Sequence, residues 1–122
     1  MTGDPAPQEL PTPRLELPEL YDRMVESELL EIHPWALLLG DIQKRRAQHI
    51  EQVHPGWAIV PFARRTDCDD VACWTGDSVV IIDDYDPIRD DGVVRRHVMR
   101  EFPSMDEWLL SAVRDFIDFG PL

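Results

Sequence analysis

The 122-residue sequence predicts an α+β domain: N-terminal helices, then an antiparallel-rich sheet of about four or more strands, then a C-terminal amphipathic helix packed on that sheet. Three observations carry this expectation. Helical spacing governs residues 18–53; short β-prone runs separated by Asp, Gly and Thr fill 58–101; and a capped apolar stripe with helical period closes the chain. Helices and strands that are segregated along the chain, not alternating, argue against a parallel α/β fold. The length suits one domain, and a chain 43% hydrophobic and 30% charged has enough apolar surface for a packed core.

Residues 1–16 carry Pro5, Pro7, Pro11 and Pro13 among polar neighbours and read as a Pro-rich extended tail, leaving 17–122 as the single domain. Pro18 suits a first helical turn, acidic Glu19 favours the helix N-terminus, and Tyr21, Val25, Leu29 and Ile32 share one face, so a helix is expected up to His33, before Pro34. Pro34 to Gly40 reads as an apolar turn or a tight bend. Asp41 offers an N-cap oxygen for a second helix to about Val53, with Ile42, Arg46, Ile50 and Val53 inward and Lys44 and Arg45 on a solvated face.

Ala58 to Ala63, Val71 to Trp74 and Val79 to Asp83 then read as strands of a meander. Val93 to Glu101 also fits a helical spacing, but Gly92 and the β-branched pairs favour a strand. Ser104 and Glu107 form a capping-box pattern, after which Met105, Trp108, Leu109, Ala112, Val113, Phe116 and Ile117 recur at helical spacing. Pro121 stops that helix. Trp108 belongs to the core, and Trp35, Trp57 and Trp74 are core residues or exposed anchors.

With 12 basic against 24 acidic residues the net charge is −12, which argues against nucleic acid, since phosphate binding needs Lys and Arg to displace counterions. A cationic partner is the better expectation. The charge is concentrated: from Asp67 to Asp91 there are nine Asp and one basic residue, Arg89, giving −8. No export signal is read, and the longest apolar run, Trp35 to Leu39, is too short for a bilayer, so no membrane role is expected. Two cysteines, Cys68 and Cys73, are too few for a disulfide framework and suggest a cytoplasmic home.

The Asp67, Asp69 and Asp70 cluster admits two readings. One is a divalent-metal site of a hydrolase, with carboxylates as hard ligands; the other is a polar turn between strands. No partner motif or general base accompanies it, so neither metal nor cofactor is assigned. Cys68 and Cys73 lack two further zinc ligands at useful spacing, since His33, His49, His54 and His97 are dispersed. A Cys nucleophile would need a base that is not evident. Asp83 to Gly92 misses the calcium-loop register, because Gly92 as sixth ligand position puts Pro87 first. With no phosphate-binding or nucleophile-elbow motif, no catalytic residue is assigned.

Ile59-Val60-Pro61-Phe62 followed by Cys68-Asp69-Asp70-Val71-Ala72-Cys73-Trp74 and Val79 to Tyr85 resembles the central meander of the SUKH superfamily (Smi/Knr type). Phe102-Pro103-Ser104 with Glu107-Trp108-Leu109 is similar to that family's closing segment, and Leu17-Pro18-Glu19-Leu20-Tyr21 to the opening of its first helix. The Gly-Gly pair common after that helix is replaced by Pro34-Trp35 and Gly40-Asp41, which suggests a divergent branch. The resemblance implies a non-catalytic α+β protein that binds and neutralises a bacterial toxin, commonly a nuclease, or serves as a regulatory interaction domain. Combined with the charge, it nominates Asp67, Asp69, Asp70, Asp77, Asp83, Asp84 and Asp86 as the partner-binding face.

Overall fold

A computed structural model describes residues 15–83, 88–90, 93–95 and 98–119; for 88–90 and 93–95 only the backbone path is given. The predicted tail falls mostly outside these residues, while Leu15 is half-buried and Leu17 packs against the core.

The first helix, α1, spans Glu19–Glu26 and is shorter than its spacing predicts. It is stopped by a Schellman turn: the Leu29 amide donates to the Met24 carbonyl (2.8 Å) and the Glu28 amide to that of Val25 (3.0 Å), with Glu28 left-handed at φ 59°. No Gly or Asn marks this stop, so the periodicity ran past it. The chain then turns back through β1 (Glu31–Ile32) and β2 (Trp35–Leu37), a hairpin where a helix end and an apolar bend were expected.

Helix α2 covers Gly40–Val53. Its N-cap is Leu39, without a side-chain bond, and Asp41 instead lies in the first turn, where its charge favours the helix dipole. Of the predicted inner face Ile50 is buried and Arg46 and Val53 are half-buried, but Ile42 is exposed, and Gln43 and Ala47 are half-buried instead.

The meander follows as β3 (Val60–Arg65), β4 (Asp70–Trp74) and β5 (Val79–Asp83). Pro61 lies where the β3–β4 register shifts, a place that tolerates a residue without an amide donor. Gln43 Nε2 of α2 donates to its carbonyl at 2.9 Å. The single strand predicted over Val93 to Glu101 is two: β7 (Val93–Arg95) pairs with β6 (Ile88–Asp90) in a separate ribbon, while β8 (Arg100–Phe102) pairs with β5. Among the described residues the main sheet is antiparallel and six-stranded, in the order β1-β2-β3-β4-β5-β8.

Helix α3, Met105–Phe119, begins as the capping pattern predicts, with the Glu107 amide donating to Ser104 Oγ (3.2 Å). It follows β8 at one sheet edge and reaches β1 at the other, where Phe119 meets the edge of His33. With α1 it covers one face of the sheet, burying Met24, Trp35, Phe62, Ile81, Met105, Trp108 and Ala112. Trp108 is packed edge-on against both Trp35 and Phe62, with centroids 5.5 and 4.9 Å away, a favoured aromatic geometry. On the opposite face Leu38, Ile50, Val71, Cys73, Val80 and Ile82 form a second cluster under α2. The chain is therefore α+β with three layers. No helix among the described residues is long and apolar enough to cross a membrane.

Candidate functional site: the acidic end of the sheet

Antiparallel pairing brings the β3–β4 turn and the end of β5 to one end of the sheet, and the β4–β5 turn to the other. The nominated carboxylates are divided accordingly. Asp67, Asp69, Asp70 and Asp83 share one end, whereas Asp77 stands at the far end inside the Thr75–Ser78 turn. There the Thr75 hydroxyl donates to Asp77 Oδ1 (3.0 Å) and accepts from the Ser78 amide (3.1 Å), and Gly76 supplies φ +108°. Asp77 is thus a turn-former away from the proposed face. Asp84 and Asp86 lie outside the described residues.

Asp67 has a partner within its own chain. Arg65 Nε and Nη2 donate to its two carboxylate oxygens at 2.8 and 2.9 Å, and this bidentate bond holds the Asp67 carboxyl below its ordinary value. Arg65 lies 5.7 Å over the Trp35 ring, and its Nη1 is 3.8 Å from Asp115 Oδ2, as is Arg100 Nη1. The same Asp115 oxygen accepts a 3.0 Å bond from Trp35 Nε1, and Arg100 Nη2 donates to Ser111 Oγ. Spacing could not reveal this network, which ties residues up to 80 positions apart. It turns Asp67 and Asp115 into supports for the end of α3 and of β3.

Asp70, Asp83 and Asp69 complete this end of the sheet. Asp70 and Asp83 are Cα partners across β4 and β5, a like-charge pair set directly opposite. Burial pushes the Asp70 carboxyl above its ordinary value; the Cys68 thiol and the Arg65 charge oppose that, while the charges of Asp83 and Asp67 add to it. Asp69 is exposed in the turn beside them.

The same geometry bears on the chemical readings. No group of three His, Cys, Asp or Glu side chains converges on a metal-holding point among the described residues. Cys68 and Cys73 are not joined in a disulfide; Cys68 is exposed and Cys73 is buried in the α2-side cluster. Desolvation, reinforced by Asp70 and Asp67, raises the Cys68 thiol above its ordinary value, opposite to the shift that activates a nucleophile. Tyr21, at the other side of the core, donates to the Leu38 carbonyl at 2.6 Å and is likewise raised by burial.

No protein-family model matches the sequence, and no curated protein or solved structure matches the chain.

Proposed function

We propose that the chain is a non-catalytic binding protein that neutralises a cognate cationic bacterial toxin, such as a nuclease, by occluding it, in the manner of the SUKH immunity proteins it resembles. The observation that carries the reading is the Asp70/Asp83 pair: two carboxylates held opposite each other, one partly desolvated, at an end of the sheet where Asp69 adds a third. Such a site attracts a cationic partner. The −12 net charge supports it by steering a basic protein during approach. Two cysteines not joined in a disulfide support a cytoplasmic site of action.

The test is association with the product of the adjacent reading frame, measured by stopped flow across ionic strength. The combined substitution Asp69→Asn, Asp70→Asn and Asp83→Asn is expected to slow association by roughly tenfold at low salt and to flatten its salt dependence. An unchanged on-rate, or no association with that product, overturns the reading.

A further inference from the structure

The apolar arc of α3 is wider than the sheet can cover. Met105, Trp108 and Ala112 are buried, but the side of the helix turned away from them is also apolar and open: Leu110 is 65% exposed, Ile117 66%, Phe116 53% and Val113 40%. Leu110, Val113 and Ile117 stand at i, i+3 and i+7, one continuous row on the helix surface. Single exposed apolar residues are ordinary on a protein surface, but a contiguous row marks an interaction surface.

The surroundings of the row identify what covers it. On α3 itself Asp106, Glu107 and Asp118 are exposed against Arg114, with Arg100 of β8 bonded to Ser111 beside them. Helix α1 and the turn after it, on the same side of the sheet, expose Glu19, Asp22, Glu26 and Glu28 against Arg23. Met24 of α1 and Trp108 of α3 belong to one core cluster, and Leu29, beyond that turn, lines a small cavity with Trp108 and is itself 41% exposed. An apolar row within a field of carboxylates is the anatomy of an interface with a hydrophobic centre and a charged rim. A second copy of the chain would bring the same acidic rims together at −12 per protomer, so an isologous dimer is opposed by its own charge. An anionic lipid surface is opposed in the same way.

We infer that the outer flank of α3, centred on Leu110, Val113 and Ile117, is the apolar anchor site for a protein partner that presents an apolar ridge bordered by Lys and Arg. This rests on the binding function proposed above and adds to it a second contact region, outside the acidic end of the sheet. Long-range attraction brings the partner in, and burial of the row holds it, so the row governs dissociation and the carboxylates govern association.

The probe is a cationic amphipathic peptide of roughly 18 residues, with Leu at i, i+3, i+4 and i+7 and Lys elsewhere, compared with a scrambled peptide of equal charge and composition. The full chain is expected to bind the amphipathic peptide about tenfold more tightly than the scrambled one, and Leu110→Ser with Ile117→Ser to abolish that preference. Both side chains are about two-thirds exposed, so an unchanged thermal midpoint and far-ultraviolet circular dichroism are expected to show that the fold is retained. Neutralising Asp69, Asp70 and Asp83 is expected to weaken both peptides equally. Three outcomes overturn the inference: no preference between the peptides; a preference untouched by the two substitutions; or a dimer in sedimentation, or binding to phosphatidylcholine vesicles, that the same substitutions disrupt. Loss of the preference in the α3 variant, with an unchanged on-rate in the Asp variant, retains the α3 site and removes the electrostatic reading; the reverse pattern does the opposite.

Discussion

The two covers of the sheet contrast in charge and in how completely they use their apolar residues. On one side α2 exposes Lys44 and Arg45 and, among its own residues, buries only Ile50. On the other, α1 and α3 expose mostly carboxylates and bury Met24, Met105, Trp108 and Ala112, yet leave a row of apolar side chains uncovered. On the α2 side one large apolar side chain, Ile42, stays exposed. Core formation accounts for only part of the apolar surface of α3, and leaves Leu110, Val113, Phe116 and Ile117 exposed. Under the proposed function the contrast assigns binding to the α1/α3 side and the acidic sheet end, and a structural role to α2.

The sharpest way to break this contrast is within α3. Trp108→Ala is expected to lower unfolding free energy by about 3–5 kcal/mol, by removing a buried ring from the aromatic cluster, whereas Ile117→Ala on the same helix is expected to change it by less than about 0.5 kcal/mol. Urea denaturation of the two variants measures both; a large loss from Ile117→Ala means that the row is buried and the two covers are alike. At the end of α1, Glu28→Gly is expected to stabilise by about 1 kcal/mol, because glycine relieves the left-handed conformation there. A neutral or destabilising result means that Glu28 is not held in that conformation.

The smallest effects lie at the acidic end and have opposite pH signs. Asp70 has a raised carboxyl in the folded chain, so the folded state takes up that proton first and stability rises as pH falls toward 3.8. Asp70→Asn is therefore expected to stabilise by about 0.5 kcal/mol at neutral pH, an effect that fades as pH falls through the folded value and is absent below the unfolded one. Asp67 is lowered by Arg65, so its contribution is present above 3.8 and is lost as pH falls through the folded value. Asp67→Asn is expected to destabilise at neutral pH and to have no effect in strong acid. Thermal midpoints of both variants across pH 2–7 separate a strained carboxylate from a satisfied one, because the two differences must diverge in sign as pH rises.

Elements whose signals are local were legible in the chain. The Ser104 cap, the core position of Trp108 and the 71–83 strand pair depend on contacts within a few residues and match the structure, whereas Val113, Phe116 and Ile117 of the same predicted stripe are exposed. The stop of α1 was not, because its left-handed residue is a glutamate instead of the expected Gly or Asn. Nor was the division of 93–101 between two sheets, since β-propensity does not choose a partner strand.

The candidate site was legible as charge but not as a constellation. Composition located the aspartates between residues 67 and 91, because net charge requires no fold to be counted. Pairing across strands assigned Asp77 to the far end of the sheet and set Asp70 opposite Asp83. Long-range contacts gave Asp67 to Arg65 and joined Asp115 to Trp35. Periodicity likewise foretold an amphipathic α3, and packing determined how much of its stripe was used. A stripe is a property of one helix, set every few residues along its own backbone; its burial depends on the width of the sheet beneath it and on the elements beside it. Those are encoded elsewhere in the chain and meet α3 only on folding.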